Sequence, residues 1–342
     1  MTPELKTPFS PRKNMGVVLA IIAIAFFIGL PLLKNNFLLS IVMEMFLLAY
    51  LGQTWNIFSG STGLLSFGHA AFFGIGAYTS TILLLKFNLS PWIGMLVGGL
   101  LSACVGMAIA YLSLRYKVRG VFFALGALAC SEFIRLLTLA WIPLTNGAQG
   151  IMIPWKGENL LMFAFGVRKK YLSYYVILIM LALCSYIAYK IKKSRLGYYL
   201  AAINGNEDAA EMLGIHTLKY QVMTMGISTF LAAWAGTFYA QYYQHFEPDV
   251  IFGAMRNFNI IFPVVLGGSG TVLGPIVGAV ILQGFEGIVR NIIPSNWYGV
   301  PRIFYGLILV ILMMYMPGGI VNFVKRKLRH SSPEKKTSAG GK

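Results

Sequence analysis

Apolar runs long enough to cross a bilayer alternate with short polar stretches along almost the whole chain. A spanning helix takes about 20 mostly apolar residues. The first run, 15–33, follows Lys6, Arg12 and Lys13. It is long for the core of a signal peptide and ends in Pro31-Leu32-Leu33-Lys34 without a small-residue cleavage site, which predicts an uncleaved span. Runs 37–58, 63–85, 91–114, 120–142, 171–189 and 220–243 predict further spans. Beyond Arg256 the pattern loosens. Run 257–266 is short, Gly267-Gly268-Ser269-Gly270-Thr271 interrupts it, 272–288 is apolar again, and 302–324 closes the series. The expectation is an all-α polytopic membrane protein of about 8–10 transmembrane helices with short loops.

Composition makes the same point. Of 342 residues, 57% are hydrophobic and only 11% charged, whereas a soluble domain carries roughly a quarter charged residues. A soluble core of this length has no place for so much apolar surface. An ordinary globular enzyme, a fibrous protein and a disordered chain are excluded. The strands of a membrane β-barrel alternate in polarity, and these continuous runs do not. Cys104, Cys130 and Cys184 are far apart in apolar runs, with no CxxC or Cys/His cluster. They predict neither a metal site nor a disulfide framework.

The net charge of +17 is placed unevenly. The start of the chain to Asn14 carries +2, 115–119 carries +3, 190–219 carries +2 and the tail from Lys325 carries +6, together 13 of the 17. Each stretch abuts an apolar segment, which is the positive-inside pattern rather than a nucleic-acid surface. It predicts a cytoplasmic tail at 1–14, a single transmembrane domain at 15–324 with a cytoplasmic loop at 190–219, and a basic cytoplasmic tail at 325–342. Both termini are then cytoplasmic. Arg168-Lys169-Lys170, in the outer loop 143–170, departs from the rule.

Glycines four apart, Gly94 with Gly98 and Gly270 with Gly274 and Gly278, predict closely packed helix backbones. Gly267, Gly268 and Gly270 mark a helix break, which in a transporter can border the substrate path. Gly68 and His69, in a Gly-rich stretch, are weaker candidates for the same path. A lone His is more often a hydrogen-bonded packing residue than a ligand. Charges inside a membrane carry a functional hypothesis by default. Glu132 and Arg135 are three apart, Glu286 and Arg290 four apart, so both sets can pair along a helix. The alternative for Glu132 is the lining of a path. Glu44 has no local partner, which leaves a cavity or an interface for it.

There is no GxxxxGK[ST] phosphate loop, no nucleophile elbow and no HExxH, and the four His residues (69, 216, 245 and 330) are widely separated. The chain is not expected to be an enzyme. Uphill transport by ATP would need another subunit to bind the nucleotide. A stand-alone channel or secondary transporter would need its own coupling residues, and none is evident.

The stretch from Ser194 to Ile215 is the most informative. Asn204 can cap a helix with Glu207 three residues later, much like a capping box. Glu207, Asp208 and Glu211 bring acidic charge, and the first two favour a helix N-terminus. Ala209 and Ala210 are slim helix formers, and Gly214 suits a left-handed C-terminal cap. A short cytoplasmic helix results, with a narrow centre fit to seat in a partner's cleft; its residues alone leave open a surface helix with no partner.

Glu207-Asp208-Ala209-Ala210 followed by Gly214 resembles the coupling motif of bacterial ATP-binding-cassette importer permeases. Ser194-Arg195-Leu196-Gly197, Ala201-Ala202-Ile203, the stretch from Gly63 to Tyr78, Leu266-Gly267-Gly268-Ser269-Gly270-Thr271 with Gly274-Pro275, and Met316-Pro317-Gly318-Gly319 resemble the LivM-type permeases of high-affinity branched-chain amino acid importers. The likeness runs from about Gly52 to Ile320. It implies one of two permease subunits in the bacterial inner membrane, embedded in lipid and paired with a second, homologous permease. It also implies two ATPase subunits, which hold the ATP and magnesium so that this chain needs no cofactor of its own, and a periplasmic solute-binding protein. The implied substrates are branched-chain or other aliphatic amino acids, with urea or short amides as the alternative.

Overall fold

The computed structural model describes residues 29–33, 35–154, 170–292, 306, 314 and 318–330. The predicted spans 15–33 and 302–324 lie largely outside the described residues, as do the tail 1–14, Arg168, Lys169, Met316, Pro317 and everything beyond 330.

Local signals fix where the helices begin and end. Asn35 caps α1 (Asn36–Thr62), its side-chain oxygen accepting from the N–H groups of Phe37 at 3.1 Å and Leu38 at 3.2 Å. α2 (His69–Phe87) and α3 (Pro91–Arg115) form an antiparallel hairpin. Its turn is Asn88-Leu89-Ser90, with Ser90 capping α3 and Pro91 at the first helical position. α4 (Val121–Ala140) follows the basic turn, and α5 (Lys170–Lys193) leads into the short helices α6 (Arg195–Gly205) and α7 (Glu207–Met212). α8 (Thr217–Tyr243), the five-residue α9 (Pro248–Phe252), α10 (Ala254–Gly267), α11 (Gly274–Ile292) and α12 (Ile320–His330) complete the series. One two-residue ladder joins β1 (Ile151–Met152) to β2 (His245–Phe246), antiparallel.

Six segments of the described chain are long and apolar enough to cross a membrane: α1, α2, α3, α4, α5 and the α9–α10 stretch Pro248–Gly267. The protein is an all-α, multi-pass membrane protein. Large apolar side chains on α3, α4 and α5, such as Leu96, Leu100, Phe122, Phe133 and Ile179, point outward and are exposed. In water such a belt would be a liability; hydrocarbon tails cover it at no cost. The interior is built around α8, which packs chiefly on α3 and α2 and then on α1.

Small residues set those distances. A Cβ on Gly94 would stand 2.8 Å from the Ser80 backbone, and one on Gly98 would stand 3.3 Å from that of Gly76. A Cβ on Gly278 would run into the Pro263 carbonyl. Gly94, Gly98 and Gly278 therefore serve close packing of backbones. Gly270, by contrast, is not on the α11 face with Gly274 and Gly278: α11 starts only at Gly274. The predicted span 63–85 also starts late. α1 continues to Thr62, and 63–68 crosses as non-helical chain, held by the Trp55 indole N–H donating to the Ser66 carbonyl at 2.7 Å.

The α1 end at Thr62, the α3 end at Arg115 and the α5 end at Lys193 share one face with α6 and α7, which we term the basic face. Lys170 lies at the opposite face, its ammonium 2.9 Å from the Ser40 hydroxyl.

Candidate functional site

The basic face presents α7 with each of its ends satisfied. Its cap is Asn206, whose side chain accepts from the Ala209 N–H at 3.0 Å. The cap expected at Asn204 is not used, because α6 runs on through Gly205 and keeps Asn204 helical. Glu207 consequently does not close a capping box; it meets Arg119. At the other end Gly214 adopts φ +81°, and its N–H reaches the Glu211 carbonyl at 2.9 Å while that of Ile215 reaches Ala210 at 3.1 Å. The Thr217 hydroxyl donates to Glu211 Oε1 at 2.6 Å.

Ala209 and Ala210 face opposite ways. Ala210 is 1% exposed against Leu200 and Ile203 of α6, so it anchors α7 to the body and is not part of a docking surface. The exposed surface is Ala209 with Met212 and Leu213, the last two 88% and 81% exposed. Met212 and Leu213 thus form a small exposed apolar patch at the end of α7.

Arg119, from the turn between α3 and α4, reaches across to α7. Its Nε lies 3.0 Å from Glu207 Oε2 and its Nη1 donates to Asp208 Oδ1 at 3.1 Å. The hydrogen bond that Arg119 donates to Asp208, with the charges of Glu207, Asp208 and Glu211, raises the Arg119 pKa against a partial desolvation. This link was readable in the sequence only as a basic turn and an acidic helix assigned to the same side of the membrane.

The Gly-rich break lies between α10 and α11. Gly268 and Gly270 take φ +117° and +72°, which side chains rarely tolerate. Asn56 of α1 satisfies the exposed backbone: its Nδ2 donates to the Thr271 carbonyl at 2.9 Å and its Oδ1 accepts from the Gly270 N–H at 2.7 Å. Lys192 of α5 donates to the Gly270 carbonyl. Non-helical backbone inside a membrane protein survives only with such partners. No signal in the sequence pointed to Asn56.

Gly68 and His69 are tightly packed in the interior. A Cβ on Gly68 would stand 2.6 Å from the Ala127 carbonyl. His69 is 1% exposed, with Nδ1 3.1 Å from Ser66 Oγ and Nε2 2.9 Å from Ser228 Oγ. Ser228 spends its proton on the Thr54 carbonyl at 2.6 Å. It therefore accepts from His69 Nε2–H, which assigns the neutral ring with the proton on Nε2.

Arg135 pairs with Glu132 on its own helix and also with Asp249 of α9, tying α4 to the short helix of the 244–256 connection. Glu286 lies in a polar cleft with Glu44; the side chain of Arg290 is outside the described residues. Among the described residues no group of three His, Cys, Asp or Glu side chains is placed to hold a metal.

Long apolar helices around a packed interior, with a capped helix held out on the basic face, define a polytopic membrane protein. The chain belongs to the family described as the branched-chain amino acid transport system permease component, which matches residues 37–316, and is thus an ATP-binding-cassette permease subunit. It is 27% identical to the high-affinity branched-chain amino acid transport system permease protein LivM of Salmonella typhimurium, over 95% of this chain and 78% of that protein. It is 26% identical to LivM of Escherichia coli, over 93% and 77%. The permease protein LivH of Salmonella typhimurium is 24% identical over 82% of this chain and 95% of its own length. No solved structure matches.

Proposed function

We propose that this chain forms half of the translocation path of a bacterial inner-membrane importer for branched-chain and related aliphatic amino acids. It does no chemistry of its own. A second, homologous permease completes the path, two ATPase subunits bind ATP and magnesium, and a periplasmic solute-binding protein delivers the substrate. The basic face is cytoplasmic, and both termini lie on that side. The observation that carries this reading is α7. It is capped at both ends, anchored by Ala210 and Arg119, and offers Met212 and Leu213 to a partner. Closing of the ATPase dimer would push α7, and Arg119 would pass that displacement to α3 and α4. A rigid, clamped helix transmits such a push where a loose loop would absorb it.

The test is reconstitution of the chain with its second permease, both ATPases and the binding protein in liposomes. Labelled leucine should accumulate only with ATP and the binding protein, and unlabelled isoleucine or valine should compete where urea does not. Accumulation of urea, or leucine entry without ATP, would overturn the reading.

A further inference from the structure

Between α1, α8, α10 and α11 lies a cleft of about 220 Å3 lined by charged side chains. Pockets for drug-sized ligands run to roughly 300–1,000 Å3, so this one suits a single small solute. Ionisable side chains within membrane-spanning segments are rare and mark substrate routes.

Side chains of opposite charge line this one cleft. Glu44 accepts from the Tyr243 hydroxyl at 2.8 Å and from Gln283 Nε2 at 2.8 Å, and Glu286 adds a second carboxylate to the wall. The Arg256 guanidinium lies over the rings of Tyr239 and Phe73, at 5.0 and 5.3 Å. Tyr239 and Tyr243, with ring centroids 4.4 Å apart, form the aromatic wall that the two groups share. Among the described residues Arg256 makes one hydrogen bond, from Nε to the Val250 carbonyl at 3.3 Å, and no ion pair. Its other donors have no partner among the described residues, and their planar fork is well shaped for a carboxylate. Leu47 and Leu48 supply an apolar wall. Glu44, Arg256 and Glu286 are half-buried and Tyr243 is exposed, so the cleft is accessible. It lies toward the face away from α7, the side on which a binding protein would deliver its load.

We propose that this cleft binds a zwitterionic aliphatic amino acid on the permease itself. The α-carboxylate pairs with Arg256, the ammonium with Glu44, and the aliphatic side chain rests on Leu47 and Leu48. A solute carrying both charges satisfies both groups at once. A solute with one charge leaves the other group of the cleft desolvated and unpaired, which is how a polar site rejects an analogue. This rests on the reading of the chain as an amino acid permease.

The experiment is equilibrium binding of labelled leucine to the complete permease–ATPase complex in nanodiscs, with the binding protein left out. Leucine should bind and be displaced by excess leucine. Isoamylamine, which lacks the carboxylate, and 4-methylpentanoate, which lacks the ammonium, should displace it at least tenfold less well. Glu44→Gln and Arg256→Gln should each weaken binding at least tenfold, Arg256→Lys less, with unchanged recovery of the ATPases. Wild-type binding by Glu44→Gln and Arg256→Gln, or displacement by isoamylamine as good as by leucine, would overturn the site. Leucine uptake by the full importer without detectable binding to the complex would overturn the cleft and leave the importer reading standing. A wild-type importer that neither binds nor takes up leucine would remove both.

Discussion

Arg119 and Asp208 are 89 residues apart in sequence and form a hydrogen-bonded ion pair at 3.1 Å, with Glu207 as the second acceptor at 3.0 Å. The pair joins the turn between two long helices to the first turn of α7, where acidic side chains already favour the helix N-terminus. Helix dipole and guanidinium thus act on the same two carboxylates.

Arg119→Gln should uncouple more than it destabilises. The pairs are partly or largely exposed, and such pairs contribute roughly 0.2–1 kcal/mol each to stability. Melting of the purified permease should therefore move by only a few degrees. ATP-driven uptake should fall several-fold at unchanged complex yield, while ATP hydrolysis continues. Uptake equal to wild type would show that α7 transmits without the clamp.

Opposite outcomes are expected on the two sides of α7. Ala210→Leu puts bulk between α7 and α6, where overpacking costs typically ~1–3 kcal/mol. Folded yield should drop. Leu213→Asp changes an 81% exposed side chain; yield should hold while the ATPases no longer co-purify. The check is paired size-exclusion and pull-down. Retained ATPase with Leu213→Asp would show that the partner grips elsewhere.

Which parts of this were legible beforehand follows from the range of the forces involved. Hydropathy locates α1 to α5, with the start of α2 displaced from 63 to His69, because a spanning helix is apolar along its length whether lipid or neighbouring helices cover it. Gly94 and Gly98 are readable as close packing for the same local reason. The α7 stop at Gly214 is written in the sequence, but its start is displaced from Asn204 to Asn206, because α6 ends late and no local signal weighs one Asn against the other. Partnerships across the fold are invisible to spacing. Glu44 finds Tyr243 and Gln283 at separations of 199 and 239 residues. Arg135, read as the partner of Glu132 alone, also takes Asp249 from α9, more than a hundred residues further along the chain.

That second carboxylate changes what substitution at Glu132 should do. Glu132→Gln leaves Arg135 paired with Asp249, so the loss should be that of one exposed pair, roughly 0.2–1 kcal/mol. Glu132→Gln with Asp249→Asn leaves the guanidinium alone, with a cost of up to ~2.5–3.5 kcal/mol on membrane-insertion scales. Adding Arg135→Gln to the double variant should recover part of it. The measurement is the fraction of monodisperse protein left after heating in detergent. A Glu132→Gln loss as large as that of the double variant would mean that Asp249 does not share the charge.

Asn56 holds the α10–α11 break through both ends of one amide, and it is only 5% exposed. Asn56→Ala strands the Thr271 carbonyl and the Gly270 N–H in the interior, at about 1–3 kcal/mol for each unsatisfied group. Asn56→Asp keeps the acceptor for Gly270 and sets a carboxylate against the Thr271 carbonyl, so it should be no better. Asn56→Gln keeps both functions on a longer arm and should recover part of the loss. Hydrogen exchange on the 267–274 segment reads this directly. Protection should fall in the Ala and Asp variants and return partly in the Gln variant, while protection of α7 on the same face stays unchanged. Equal protection in all four proteins would show that packing of Gly319 on Gly268, together with Lys192, holds the break without Asn56.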